Sequence, residues 1–231
     1  EIFSEIAFEI GEGGAGLVTG PSGSGKTALG MAVSGFLPLW AGRFGTRGSV
    51  EAFGRPVIQG ADHPGTGLVL ENPYTQLSGL KTTVAGELAF PLECAGTPRG
   101  LMEPIIREWA ARLGIDRLLP RRVRTLSGGE LQRLLIAAVL VTRPRFLFLD
   151  RPLTEIDDGF RADILLILRA HLRETGGAAL VADEPELLAG GEPFDTVIRL
   201  GGAEEPAAGG WTSLYQTTAR SERAVSAGGL L

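Results

Sequence analysis

Gly20-Pro21-Ser22-Gly23-Ser24-Gly25-Lys26-Thr27 combines glycines that free the backbone, a lysine cation and a threonine hydroxyl. The run fits G-x-x-x-x-G-K-[ST], the phosphate-binding P-loop. Glycine lets successive backbone N–H groups turn inward around phosphate oxygens, and a following helix adds the positive end of its dipole. Lys26 is then placed to reach β- and γ-phosphates and Thr27 to ligate Mg²⁺, with Ala28 counted beside them as a nucleotide-binding position. A chance match in a chain with 34 glycines is the competing reading. The context argues against it: Ala15–Thr19 is a short apolar strand leading in, and 28–36 continues as an Ala/Leu/Met/Val helix.

Two further groups extend this chemistry. Asp150 ends the apolar run Phe146-Leu147-Phe148-Leu149, where a carboxylate can hold the Mg²⁺ shell. In isolation it would read as a turn residue. Leu126-Ser127-Gly128-Gly129-Glu130-Leu131-Gln132-Arg133 opens a helix, with Ser127 and Glu130 at capping-box spacing. Two glycines at a helix start expose N–H donors that can grip a γ-phosphate. Taken alone, an ordinary capping box before a core helix would be the commoner reading.

The elements that must position these groups follow from periodicity. Segment 67–70 is an apolar strand ending at Glu71. Turn residues from Asn72 lead to helices at 84–90 and 102–113, the second with Ile105, Ile106, Trp109, Ala110 and Leu113 at helical spacing. Leu131, Leu134, Leu135 and Ala138 form the apolar face of the helix opened by Ser127, which Arg143-Pro144 ends. The run 146–149 has the continuous hydrophobicity of a parallel strand buried on both faces. Helix 159–173, strand Ala178–Ala182 and strand 197–200 repeat the β–α–β rhythm. The expected organisation is a core of 1–71 and 136–200, an inserted helical lobe at 72–135 and a tail or linker at 201–231. Disorder is the favoured reading of that tail, with isolated Trp211 and Tyr215.

Composition narrows the class. With 44% apolar residues the chain can bury a sizeable core. A net charge of −5 argues against a nucleic-acid footprint, which is usually basic. The lone Cys94 excludes an internal disulfide and fits a reducing compartment. No apolar run approaches the roughly 20 residues that span a bilayer. No signal peptide is expected, and a start at Glu1 rather than Met leaves a processed piece or a fragment as alternatives.

The three motifs together, in this order and over about residues 2–200, resemble the nucleotide-binding subunit of ATP-binding cassette (ABC) proteins. The resemblance implies an α/β fold: a P-loop NTPase (RecA-like) core with a mostly parallel sheet and an inserted α-helical subdomain. It implies ATP and Mg²⁺ as cofactors and a head-to-tail dimer. Gly20, Pro21, Ser22, Gly23, Ser24, Gly25, Lys26, Thr27 and Ala28 would hold this chain's nucleotide. Ser127, Gly128, Gly129 and Glu130 would serve the partner's. Asn72-Pro73-Tyr74-Thr75-Gln76-Leu77, then Thr83-Val84 and Glu87-Leu88-Ala89-Phe90, is similar to the segment after the Q-loop in energy-coupling-factor (ECF) ATPases. Those import vitamins and transition-metal ions. Drift of another importer-type cassette to the same residues is the alternative.

Several positions depart from the family pattern. Glu71 stands at the Q-loop Gln, a position also counted with Thr27 and Asp150 as metal-facing. Arg151 stands at the catalytic Glu, and Asp183 at the switch His. Pro152 and Pro185 hold the register. An arginine stays protonated near neutrality and cannot accept a proton from water. Arg151 is therefore expected to pair with Glu71 or Asp183 as a non-hydrolytic ATP clamp, against the alternative of piecemeal decay. Glu155, in the family's D-loop stretch Thr154-Glu155-Ile156-Asp157, is not expected to substitute as a base. The adenine-stacking aromatic of the family would precede the strand near Ile2, and Phe3 and Phe8 read as core residues.

The resulting expectation is an ATP-binding subunit on the inner face of the plasma membrane, partnered by a second ABC ATPase and an integral membrane transporter subunit, with no nucleic acid. A soluble ABC protein of DNA repair or translation and a regulatory ATP-binding subunit are the rivals. A P-loop kinase would leave 126–133 unexplained.

Overall fold

The computed structural model describes residues 6–36, 48–60, 65–184, 194–201 and 216–219. Strand β1 (Ala15–Thr19) enters helix α1 (Lys26–Val33). A small hairpin, β2 (Glu51–Ala52) and β3 (Arg55–Pro56), precedes β4 (Thr66–Val69). Helices α2 (Val84–Cys94), α3 (Arg99–Arg112) and α4 (Gly128–Leu140) follow. The chain then runs through β5 (Phe146–Asp150), α5 (Asp158–Thr175), β6 (Ala178–Ala182), β7 (Thr196–Arg199) and β8 (Gln216–Ala219). The main sheet has the order β4-β5-β6-β1-β7-β8, parallel except at β8.

Alternation along β5 decides what the site receives. Phe146 and Phe148 pack with Leu29 of α1, whereas Leu147 and Leu149 pack with the larger cluster that includes Leu134 and Trp109. Side chains in a strand repeat with period two, so Asp150 falls on the α1 side. Gly30 makes this contact close: a β-carbon there would stand 2.0 Å from the Phe148 ring. On the other face α2 and α3 lean on α4. Trp109 is buried there and meets His171 edge-on at 5.7 Å between ring centroids. His171 Nε2 shares a 2.8 Å hydrogen bond with the Pro144 carbonyl, and burial lowers its pKa.

Several element boundaries differ from the expectation. Helix α1 stops at Val33, not at 36. Gly35, at φ 77°, sends its N–H to the Ala32 carbonyl, and Phe36 sends its N–H to Met31. This is a Schellman ending, the usual work of a glycine just beyond a helix. Helix α2 runs past 90 and through Pro91, because its last turn is held by Ala95 N–H to Pro91 O at 3.0 Å and by buried Leu92. Helix α3 begins earlier than 102, directly after Pro98. The hairpin at 51–56 was not foreseen, since its strands are two residues long and carry no alternation.

Within the stretch expected as a tail or linker, one segment is a strand. Gln216–Ala219 forms β8, antiparallel to β7, with Thr196 opposite Ala219. Local β-branched threonines were hidden in a Gly/Ala-rich surround. Trp211, Tyr215, Ile2, Phe3 and Pro185 lie outside the described residues. Phe8 packs against the Val18 and Leu29 cluster, as expected of a core residue. Among the described residues no helix is long and apolar enough to cross a membrane.

Gly30→Ala is expected to lower unfolding free energy by about 1–3 kcal/mol, because overpacking outweighs the small helix-propensity gain. Urea denaturation checks this, and an unchanged or higher midpoint would contradict the close α1–β5 contact.

Candidate functional site

Strand order places the charged residues together. The chain leaves β4 toward Glu71, β5 at Asp150 and Arg151, β6 toward Asp183 and Glu184, and β1 toward the P-loop. These are the carboxyl ends of neighbouring parallel strands, where open α/β sheets bind ligands.

The P-loop takes its shape from glycine. Gly20 has φ 149°, and a β-carbon there would come 2.0 Å from the Leu200 carbonyl oxygen. Gly25 caps α1 at φ 94° in the left-handed region. The first intrahelical bond is Leu29 N–H to Gly25 O at 2.8 Å. The amides of Lys26, Thr27 and Ala28 therefore lie in the first turn without an intrahelical acceptor, available to an anion. Lys26 is buried, and its Nζ donates to the carbonyls of Gly20 (2.6 Å) and Pro21 (3.0 Å). Burial first, then the charge of Arg151, lowers the Lys26 pKa. Ser24 Oγ is buried with no partner among the described residues, as expected of a group that faces a ligand oxygen.

Thr27 Oγ1 donates to Asp150 Oδ2. Asp150 is buried, and that burial raises its pKa despite the Thr27 hydrogen bond. Hydroxyl and carboxylate oxygens are the hard donors Mg²⁺ prefers. Among the described residues no group of three or more His, Cys, Asp or Glu side chains forms a metal cluster. A magnesium ion here would rest on Thr27, Asp150 and phosphate oxygens, and it would screen phosphate charge.

Arg151 spans the neighbouring strand ends. Its Nη1 reaches Glu71 Oε1 at 2.8 Å and its Nη2 reaches Glu184 Oε1 at 3.4 Å. The Glu71 pairing matches the expectation, but the second partner is Glu184 and not Asp183. Asp183 is buried, and its Oδ1 turns back to accept the Glu184 N–H at 2.9 Å. Adjacency in the sequence was the only signal for Glu184. Glu71, engaged by Arg151, has its carboxylate directed to a guanidinium rather than to Thr27 and Asp150. Arg151 adopts φ 47°, sparsely populated for a non-glycine residue, and its N–H is tied to Ala182 O at 2.7 Å.

The second motif lies at the start of α4. Ser127 Oγ accepts from Glu130 N–H at 3.3 Å, and Glu130 Oε2 accepts from Ser127 N–H at 2.8 Å, completing the capping box. Glu130 also pairs with Arg121 at 3.2 Å. The Ser127 N–H, first, holds its carboxyl below the usual range against the cost of burial, with a further contribution from the Arg121 charge. Glu130 thus shapes the helix start. Among the described residues no hydrogen bond or ion pair joins 127–130 to 20–27.

Asp183 gives a pH test. Burial raises its carboxyl from 3.8 to about 6, opposed by the Glu184 N–H. The neutral acid is favoured in the fold, so its stabilising contribution is complete below about pH 4 and is lost as pH rises through about 6. Wild-type stability should fall by up to about 3 kcal/mol across that window, and Asp183→Asn should flatten the fall. Identical pH–stability curves for the two proteins would contradict the burial.

Comparison with known proteins agrees with the geometry. The profile of the family described as ABC transporter matches residues 3–154. A putative ABC transporter ATP-binding protein of Streptomyces coelicolor is 35% identical over 77% of this chain and 32% of its own length. The molybdate/tungstate import ATP-binding protein of Pyrococcus horikoshii is 35% identical over 76% of this chain and 49% of its own. The Fe(3+) ions import ATP-binding protein of Streptomyces avermitilis is 34% identical over 86% of this chain and 54% of its own. The chain thus spans between 32% and 54% of the length of these relatives. Among solved structures, cbiO1 of Clostridium perfringens, described as part of the ABC transporter complex cbiONQ, superposes with a TM-score of 0.69 at 22% identity. That match covers 86% of this chain and 78% of the other and supports the P-loop NTPase fold. By its matched profile and its relatives, the chain belongs to the ABC transporter ATP-binding family.

Proposed function

We propose that this chain is the ATP-binding subunit of an ECF-type ABC importer. It binds Mg-ATP at its own P-loop and presents Ser127, Gly128 and Gly129 to a second cassette. Its own composite site holds ATP without hydrolysing it efficiently. The observation that carries the last point is the ion pair of Arg151 with Glu71 at 2.8 Å, which puts a cation where the family has its catalytic carboxylate. A guanidinium stabilises phosphate charge but takes no proton from water. Hydrolysis then belongs to the site formed by the partner's P-loop and this chain's intact signature, in a heterodimer.

Docking to an integral membrane subunit, at the inner face of the plasma membrane, would use the segment 71–92. A groove of about 560 Å³ supports this, lined there by Tyr74, Leu77, Lys81 and Thr82 and across from them by Arg122 and Arg124. Tyr74, which lines it, and Leu80 are exposed at 66% and 73%. The expected docking groove lies between core and lobe; this one is lined by 74–131 alone, so closure of the core (1–71 and 136–200) on the helical lobe (72–135) would carry it along. The similarity to import ATP-binding proteins of Pyrococcus horikoshii and Streptomyces avermitilis supports the importer reading.

Binding and recovery test the proposal. Calorimetric titration should detect Mg-ATP binding to wild type and lose it in Lys26→Ala. Arg151→Ala should weaken ATP about tenfold or more, because a cation beside the phosphate site is lost and Glu71 and Glu184 are left unneutralised. Recovery of the tagged chain from native membranes should bring a second cassette and a multi-span protein. Recovery with neither, or ATP affinity unaffected by Lys26→Ala, would overturn the reading.

A further inference from the structure

Glu155 carries a charge that phosphate binding does not call for. It lies in the loop between β5 and α5, directly over the start of α4. A β-carbon on Gly128 would stand 2.7 Å from Glu155 Oε2, and one on Gly129 would stand 2.8 Å from the Glu155 carbonyl oxygen. Both glycines are therefore covered by oxygen atoms of one residue. Their amides, in the first turn of α4, have no acceptor among the described residues.

The loop is anchored on both sides of Glu155. Leu153 and Ile156 are buried. Arg161 Nε donates to the carbonyls of Leu153 (3.3 Å) and Ile156 (3.0 Å), and Ile156 N–H donates to Leu153 O at 3.1 Å. The Glu155 backbone is thereby fixed against the glycines while its side chain stays exposed. No cation neutralises it among the described residues: nearby Arg161 pairs with Asp158, and Arg133 lies over the Phe160 ring.

We infer that Glu155 is a built-in competitor for the signature glycines, so that this chain's signature accepts a terminal phosphate only when that carboxylate is drawn aside or neutralised. The inference rests on the proposed role of 127–129 in holding a partner's nucleotide. Its physical basis is that an anion beside a helix start interacts with the same helix dipole that a phosphate would use, and two anions there repel. A partner that brings a cation to this loop would be selected over one that does not.

Amide NMR of the full chain titrated with inorganic phosphate separates this from the P-loop. In wild type, the Gly23 and Gly25 amides should shift, while those of Gly128 and Gly129 should respond weakly. In Glu155→Gln and Glu155→Ala, the Gly128 and Gly129 amides should shift at about tenfold lower phosphate concentration. The isosteric Gln removes charge and keeps shape. A gain in Glu155→Ala alone would overturn the electrostatic competition in favour of simple steric cover. Equal Gly128 and Gly129 responses in all three proteins would overturn it outright. Silence of Gly23 and Gly25 would instead count against phosphate binding at the P-loop and leave the comparison at Gly128 and Gly129 independently readable.

Discussion

Arg151 ties three neighbouring parallel strands together by charge. It follows β5, and its guanidinium reaches Glu71 beyond β4 and Glu184 beyond β6. Carboxylates crowded at the ends of parallel strands repel one another and repel a polyphosphate. A cation between them removes both objections. The geometry is bought with a left-handed backbone at φ 47°, which persists because the Arg151 amide is held by Ala182. The family chemistry at this position needs a proton acceptor, and the residue present supplies the opposite. On the proposed reading, binding and turnover are thereby separated within one site.

The same logic runs through the rest of the phosphate cradle. Lys26 and Asp150 are both buried, and burial opposes the charge on each. Lys26 is held by two P-loop carbonyls, and Asp150 by the Thr27 hydroxyl. Such buried polar groups are tolerated because each is hydrogen-bonded. Ser24 Oγ and Asp183 Oδ2 lack that compensation among the described residues and mark where a ligand oxygen or a proton would be most welcome. Two carboxylates far apart in sequence, Glu71 and Glu155, answer the same question differently: one is neutralised by Arg151, the other stands exposed beside the start of α4.

Much of this was legible in the sequence because it rests on local rules. The P-loop glycines, the Ser127 capping box and the buried run into Asp150 announce their geometry through residue type and spacing. Gly35 held a readable stop signal for α1, yet the apolar texture of 28–36 outweighed it. Leu92, whose burial carries α2 through Pro91, could not be read that way, because tertiary packing overrides a local breaker. Glu184 as the Arg151 partner and Glu155 over the signature glycines were illegible for a different reason. Each depends on where a loop places one carboxylate, and no periodicity encodes that. The β8 strand was masked by a tail whose composition favours disorder.

A phosphate-competent site with arginine in place of the carboxylate should retain its nucleotide. The most direct test of this is a single-turnover experiment. Purified chain in excess is mixed with γ-labelled ATP and Mg²⁺, and bound ATP and released phosphate are followed together. Protein-bound ATP is expected to stay intact over many multiples of an ordinary turnover time. Phosphate release on the timescale of a working ATPase, abolished by Lys26→Ala, would contradict it.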